Sequence, residues 1–339
     1  PGDAPALVIF TSGTTDAPRG VVHSPAGLAA TLAQAGRLAD LGPGDRVLGT
    51  GLHLVGPALL AGAGVVLPPA RANARALAQV TRATGVTHAS LPLHTALDWA
   101  VAGGAGAALR TLLLGSAPVR NAALGPLVDL LPGVRVASVY GLTEHLLVAL
   151  VEARERLEFD ERDGDLVGRP LPGVRVRTDE AGELHVSGPA LARGYLGEPG
   201  PVPALRTGDI GAFDPDGRLV LRGRAKDMLI RRGENIYPSL YEPALADAAD
   251  LEAAIMVGVE RPDGDEAVVL FAVPRRGATA EDARRRLEAL TRGARSPLDR
   301  HARPDLVIGI PLLPRSGRSA KPDRAALRAM AAERLDRTR

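Results

Sequence analysis

The stretch Leu7-Val8-Ile9-Phe10-Thr11-Ser12-Gly13-Thr14-Thr15-Asp16-Ala17-Pro18-Arg19-Gly20, with Ser24-Pro25 shortly after it, decides how the chain is to be folded. Four consecutive apolar residues predict a strand. A loop crowded with hydroxyls and glycines follows. Ser24 and Pro25 then offer an N-cap and a first-turn proline to a helix running to about Ala39. Thr11, Ser12, Thr14 and Thr15 contribute O–H donors, the backbone around Gly13 contributes N–H donors, and Arg19 contributes a cation. Such a set at a strand-to-helix turn suits a polyphosphate. The spacing G-x-x-x-x-G-K-[ST] is absent, so the loop is not a Walker loop.

Outward from this loop, short apolar runs alternate with helical periodicity. Helices are expected at Ala74–Thr84, Leu93–Val101 and Asn121–Leu131, with strands at Thr87–Ser90, Thr111–Leu114 and Val134–Val139. This alternation predicts an α/β fold with a parallel or mixed sheet covered by helices. From about Leu146 short strands and turns take over, at Gly173–Thr178, Glu183–Ser187 and Arg218–Leu221. Asp214-Pro215-Asp216-Gly217 is a turn, because proline presets φ and glycine accepts a positive one. After Arg224 a second α/β unit is expected. Its helices are Ser239–Ala248, Ala280–Thr291 and Asp323 to about Leu335, and its strands are Ala253–Val259, Ala267–Val273 and Asp305–Ile310.

Composition narrows the function. The 339 residues suit two domains or one large one. Cysteine is absent, which excludes disulfides, cysteine-ligated zinc, iron–sulfur clusters and a cysteine nucleophile. Basic and acidic residues nearly cancel (41 against 39) and aromatics are only 3%, so no nucleic-acid interface is expected. Val47–Ala70 is uncharged and long enough to cross a bilayer, but eight glycines and prolines break it. It reads instead as strand Arg46–Thr50, helix Pro57–Ala61 and strand Gly64–Leu67, so no membrane span is expected. The opening residues carry no secretory pattern, and a cytoplasmic location is the expectation. Of the 41 basic residues only Lys226 and Lys321 are lysines.

Further motifs follow the loop in order. They are Gly115-Ser116-Ala117-Pro118, Tyr140-Gly141-Leu142-Thr143-Glu144, Arg206-Thr207-Gly208-Asp209, Gly223-Arg224-Ala225-Lys226-Asp227, Arg232-Gly233-Glu234-Asn235-Ile236-Tyr237-Pro238, and Pro314-Arg315 through Lys321-Pro322-Asp323-Arg324. With the loop they resemble the motif series of the adenylate-forming (AMP-binding) superfamily, which includes acyl-CoA synthetases, peptide-synthetase adenylation domains and luciferases. The corresponding family patterns are T-S-G-T-T-G-x-P-K-G, an adenine-contacting turn, Y-G-x-T-E, [YR]-T-G-D, a hinge segment, G-E-N-I-Y-P, and P-R-x-x-x-G-K-x-x-R.

The resemblance implies an N-terminally truncated large domain of β/α units with a small β segment (residues 1–225), which binds ATP and an acid. A small mobile α/β domain (residues 226–339) follows. The implied enzyme is an acid–thiol ligase. A carboxylate attacks the α-phosphate of ATP to give acyl-AMP and pyrophosphate, and the thiol of coenzyme A then displaces AMP. Thr11, Ser12, Gly13, Thr14, Thr15 and Arg19 would cradle phosphates, while Gly115, Ser116, Ala117, Pro118, Tyr140 and Gly141 would hold the nucleotide. Thr143 would hydrogen-bond the α-phosphate and Glu144 would bind Mg²⁺, a hard cation suited to oxygen ligands. Asp209 would accept both ribose hydroxyls with Arg224 approaching the same ribose, and Lys321 would bridge substrate carboxylate and α-phosphate. Lys226 would sit at the hinge of a rotation between two poses, and the Gly233 loop would line the thiol's approach.

The chain departs from the family pattern in three places. Asp16 and Arg19 stand where the family has Gly and Lys. Ala320 replaces a glycine, with one extra residue in the spacing. Only about ten residues precede the loop, so the chain reads as a fragment or a naturally shortened form. Three functions therefore stay open: an acid–CoA ligase, an enzyme loading an acyl carrier protein, and a non-catalytic nucleotide-binding protein. Small apolar pocket walls at His53–Pro57, Pro92–Ala96 and Tyr140–Leu147, with few aromatics, favour an aliphatic or fatty acid. Of the histidines, His145 is the strongest pocket candidate.

Overall fold

The computed structural model describes residues 4–11, 19–49, 51–69, 72–116, 118–198, 203–261, 265–293, 296–316 and 321–337. Strand β1 (Leu7–Phe10) pairs antiparallel with β2 (Gly20–His23), and helix α1 (Pro25–Ala39) begins where Ser24 accepts from the Gly27 N–H. There follow β3 (Arg46–Leu48), α2 (Leu52–Leu60), β4 (Gly64–Val66), α3 (Ala74–Thr84), β5 (His88–Leu91), α4 (Leu93–Val101), β6 (Thr111–Leu114) and α5 (Asn121–Asp129). β7 (Arg135–Leu142), β8 (His145–Glu152), α6 (Ala153–Leu157), β9 (Asp165–Pro170), β10 (Arg175–Thr178), β11 (Glu183–Ser187), β12 (Gly194–Tyr195), β13 (Leu205–Phe213) and β14 (Leu219–Arg224) complete this part of the chain. Eleven of the strands form one sheet, in the order β10-β11-β13-β14-β9-β8-β7-β6-β5-β3-β4, parallel from β4 through β7 and antiparallel at β7–β8–β9. Strands β1, β2 and β12 form a separate three-stranded sheet.

Strand alternation explains why helices cover both faces. Leu112 and Leu114 of β6 point into one cluster with Trp99, Leu124 and Leu127, whereas Leu113 between them joins Val47, Leu54 and Ala58. A strand buried on both sides needs a helical layer on each, as in parallel α/β sheets. The uncharged stretch beginning at Val47 is the expected β-α-β piece, but its helix starts at Leu52, five residues before Pro57. No helix among the described residues is long and apolar enough to cross a membrane.

One buried charge was not foreseen. Arg156 of α6 is 2% exposed, donates to the carbonyls of Leu166 and Val119, and pairs with Asp165 at 2.7 Å and Glu161 at 3.4 Å. Arg156→Met strands two carbonyls and two carboxylates, so it costs about 3 kcal/mol, at the lower end for a broken buried pair because both acids keep some solvent. A denaturant titration that shows no change in midpoint contradicts this.

The described chain separates into two compact units. The second contains Gly208–Ile210 and everything from Arg222 onward. It continues with the hairpin β15 (Leu229–Arg231) and β16 (Glu234–Ile236), helix α7 (Pro238–Ala248), β17 (Leu251–Glu260), β18 (Glu266–Pro274), α8 (Ala280–Arg292) and β19 (Leu306–Gly309). The ribbon β20 (Arg315–Ser316) and β21 (Lys321–Pro322) leads into α9 (Arg324–Asp336). The sheet β17-β18-β19 is buried on both faces. Val268, Leu270 and Ala272 face the cluster containing Leu245 and Leu287, while Val269, Phe271 and Val273 face Leu327 and Ala331.

Candidate active site

Two of the sequence motifs emerge at the carboxyl ends of adjacent parallel strands, where open α/β sheets bind their ligands. β6 ends at Leu114 and runs into Gly115-Ser116. Ser116 has φ 68°, a left-handed conformation that costs a non-glycine residue about 1–2 kcal/mol and that clusters at ligand-binding turns. β7 ends at Leu142, and Thr143-Glu144 form the whole connection to β8, since Leu142 already pairs with His145. Gly141 has a packing reason: a Cβ there would lie 2.0 Å from the Leu146 carbonyl oxygen, where the β7–β8 register shifts. Tyr140 packs its ring against the cluster around Leu147 and Leu184.

The Thr143-Glu144 turn is clamped from the small sheet. The Thr143 carbonyl accepts from Nε2 of His23 at 2.9 Å, and the Glu144 carbonyl accepts from the Ala192 N–H at 2.8 Å. Oε1 of Glu144 accepts from the Tyr195 hydroxyl at 2.7 Å. Burial, then the bond to Glu144, push the Tyr195 phenol up to about 12, so it stays a donor at neutral pH. The backbone of Tyr195 is registered opposite Val21 of β2. Arg19, immediately before β2, lies 3.4 Å over the Tyr195 ring and pairs with Glu198 at 2.6 Å. Its N–H donates to the Thr11 hydroxyl at 3.2 Å. Sequence reasoning gave Arg19 to the phosphates, whereas the structure places it on Tyr195 and Glu198. Both partners were missed. The available signal was that Tyr195 is one of only four tyrosines, set in a Gly-Tyr-Leu-Gly stretch.

Glu144 is a half-buried carboxylate with one oxygen engaged by a neutral donor and Thr143 beside it. This oxygen-rich set fits Mg²⁺. A second cluster, Asp179, Glu183 and His185, is already satisfied. Asp179 accepts from the N–H groups of Ala181 and Glu183 and meets His185 Nε2 at 3.0 Å, and Glu183 pairs with Arg206 at 2.5 Å.

In the second unit Arg224 Nε pairs with Asp209 at 2.8 Å, with Asp209 nearly buried and Arg224 half-exposed. Lys226 is exposed in a single 3₁₀ turn, and its carbonyl accepts from Arg328 at 3.1 Å. Gly233 follows Arg232 in the two-residue turn of the β15–β16 hairpin, with φ values of 77° and 52°. Both being positive marks the turn type that matches strand twist. Lys321 is exposed on β21, paired across from Ser316. Ser12, Gly13, Thr14, Thr15, Asp16, Ala117 and Ala320 lie outside the described residues.

Three of the histidines, His23, His88 and His145, are buried. His145 is fully buried, not a pocket wall, and neither ring nitrogen has a well-formed hydrogen bond among the described residues. Burial lowers its pKa to about 4, against weaker opposition from backbone groups at Leu147 and at its own residue. His23, His53 and His88 are also lowered, each chiefly by burial. A histidine that binds its proton less tightly when folded favours unfolding as pH falls. The contribution of the neutral histidine is therefore fully present above about pH 6.5 and is lost progressively as pH drops toward 4. Thermal melts between pH 7.5 and 4.5 check this: the expected melting temperature falls, most steeply below 6.5, and a flat profile contradicts it.

With this geometry in hand, comparison with known proteins decides the family: the model of the AMP-binding enzyme matches residues 1–196. The chain belongs to the AMP-binding enzyme family. Among curated AMP-binding relatives, the sulfoacetate–CoA ligase of Cupriavidus necator is 32% identical over 85% of this chain and 61% of its own length. A probable non-canonical nonribosomal peptide synthetase of Salinispora arenicola is 33% identical over 84% of this chain and 4% of its own length. The amide bond synthetase of Marinactinospora thermotolerans matches with 27% identity and TM-score 0.76, over 95% of this chain and 68% of that one. The O-succinylbenzoate coenzyme A synthetase of Bacillus subtilis, solved with ATP and magnesium, shares the fold at TM-score 0.82 and 23% identity, over 96% of this chain and 70% of that one. The chain thus has the adenylate-forming α/β fold, and it spans about three fifths of the length of the sulfoacetate–CoA and indoleacetate–CoA ligases.

Proposed function

We propose that the chain adenylates a carboxylic acid with ATP and passes the acyl group to coenzyme A. The observation that carries this reading is the Thr143-Glu144 turn, presented at the end of β7 and fixed by hydrogen bonds from His23 and Tyr195 of the small sheet and from the Ala192 N–H just before β12. The names of curated relatives support a ligase reading, since several are acid–CoA ligases.

In the first half a carboxylate oxygen forms a bond to the α-phosphorus, the bond to the bridging oxygen breaks, and pyrophosphate leaves with the electron pair. Thr143 donates to the α-phosphate, and Lys321 brings a compact positive charge between the two anions, where it stabilises the transition state most. Glu144 would hold Mg²⁺, which draws off charge building on the polyphosphate when bound. Asp209, with Arg224, takes the ribose. In the second half the thiol attacks the acyl carbon and AMP departs. The Gly233 hairpin lines the thiol's path, and Lys226 marks the hinge between a large domain at 1–225 and a mobile one at 226–339.

The acid is not narrowed by the relatives, whose names span sulfoacetate, indoleacetate, 2-succinylbenzoate and long-chain fatty acids. The aliphatic preference expected from few aromatics is matched by the long-chain-fatty-acid–CoA ligase alone among these four names apart from sulfoacetate, and the other two are aromatic acids. The deciding experiment is pyrophosphate release with those four acids, followed by mass detection of the thioester with coenzyme A. Release with at least one acid is expected, and none with any acid overturns the reading. Transfer to a carrier-protein thiol with none to coenzyme A replaces only the second half.

A further inference from the structure

Glu144 is not left to choose its own rotamer. Its Oε1 is engaged by the Tyr195 hydroxyl at 2.7 Å, and the Tyr195 ring is held on one face by the Arg19 guanidinium at 3.4 Å. Arg19 is in turn anchored by Glu198 at 2.6 Å, and the Tyr195 backbone is registered against Val21. The result is a continuous chain of contacts, Glu198–Arg19–Tyr195–Glu144, that ends on a carboxylate. Arginine suits its middle position, because a planar guanidinium can stack on a ring and donate in its own plane at once. A lysine ammonium cannot do both. As stability devices the outer contacts are weak, since Arg19 and Glu198 are each about half exposed. Their physical effect is directional: they fix where a phenol O–H points.

We propose that Tyr195 is a positioning residue that aims the Glu144 carboxylate at a divalent cation, and that Arg19 acts on that carboxylate through the Tyr195 ring. The proposal rests on the reading of Glu144 given above. With Oε1 committed to a donor, the other oxygen is presented in a fixed direction. Residues that orient metal ligands in this way change metal affinity by about 10- to 100-fold when removed.

The test uses Tyr195→Phe, which keeps the ring under Arg19 and deletes only the hydroxyl. Mn²⁺ binding is followed by electron paramagnetic resonance on the full chain with a non-hydrolysable ATP analogue. The expected result is an Mn²⁺ dissociation constant about tenfold higher, with an unchanged melting temperature. Glu198→Gln, on the exposed end of the chain of contacts, is expected to weaken binding in the same direction by about threefold, and it carries the test if the Phe variant does not fold. Arg19→Ala should weaken Mn²⁺ binding in the wild-type background and add nothing to Tyr195→Phe.

Unchanged Mn²⁺ affinity in Tyr195→Phe, or no Mn²⁺ binding by the wild type, overturns the proposal. So does an Arg19→Ala effect that is fully additive, which would put Arg19 directly on the phosphates. Tyr195-dependent Mn²⁺ binding in a chain that releases no pyrophosphate with any acid supports this inference and overturns the catalytic reading instead.

Discussion

Lys321→Arg is expected to lower acid-dependent pyrophosphate release by about 100- to 1000-fold, the loss typical of removing one charge-stabilising donor from a transition state. The substitution conserves charge, and the chain uses arginine almost everywhere else, with only two lysines among 41 basic residues. What changes is geometry. An ammonium is a compact charge on a flexible stem, and it can sit between a carboxylate and a phosphate. A guanidinium is a wide planar fork. The neighbouring fold should not notice. Lys321 is exposed, and α9 just beyond it is secured independently by the Asp323 cap and by Arg324, which donates twice to Glu242 at 2.8 Å. The controls are an unchanged melting temperature and unimpaired thioester formation from chemically supplied acyl-adenylate. Wild-type pyrophosphate release by the variant would remove Lys321 from the reaction.

Glu144→Gln should have an effect of similar size, about 100-fold or more on pyrophosphate release, by a different route. The amide is nearly isosteric and its oxygen can still accept from Tyr195, so the turn stays clamped through that bond and through the His23 and Ala192 contacts. The negative charge that a hard cation seeks is gone. The activity loss should therefore be partly recovered at high Mg²⁺, whereas a loss from a collapsed turn would not be. Measuring rate against Mg²⁺ concentration separates the two.

Much of the fold was legible because strong local signals agreed with the final packing. Ser24-Pro25 started α1 as expected, and the run at Thr111–Leu114 became β6, a strand inside the parallel part of the sheet. The failures have identifiable causes. β8 went unseen because its hairpin turn is Thr143-Glu144, which contains no glycine, proline or asparagine to mark the reversal of the chain. The β15–β16 hairpin was hidden in the same way by an Arg-Gly turn in place of the usual Asn-Gly. α2 began before Pro57 because apolar burial of Leu54 and Ala58 outweighed a proline's dislike of helix interiors. At the candidate site, Thr143 and Glu144 were singled out by the resemblance of their motif, and the structure puts them in the turn after β7. Tyr195 and Glu198 were not, because their link to Glu144 and Arg19 is a matter of strand pairing across more than fifty residues.

The turn that presents Glu144 grows out of the large sheet, yet most of what holds it in place comes from the three short strands β1, β2 and β12, one of them two residues long. Protection against local opening scales with buried contacts and ladder length, so the two sheets need not open together. Slow hydrogen exchange in the eleven-stranded core can then coexist with fast exchange at Val21 and Tyr195. If exchange at Val21 and Tyr195 outpaces that of the large sheet, heat or denaturant will disturb the Glu144 turn before the molecule as a whole unfolds.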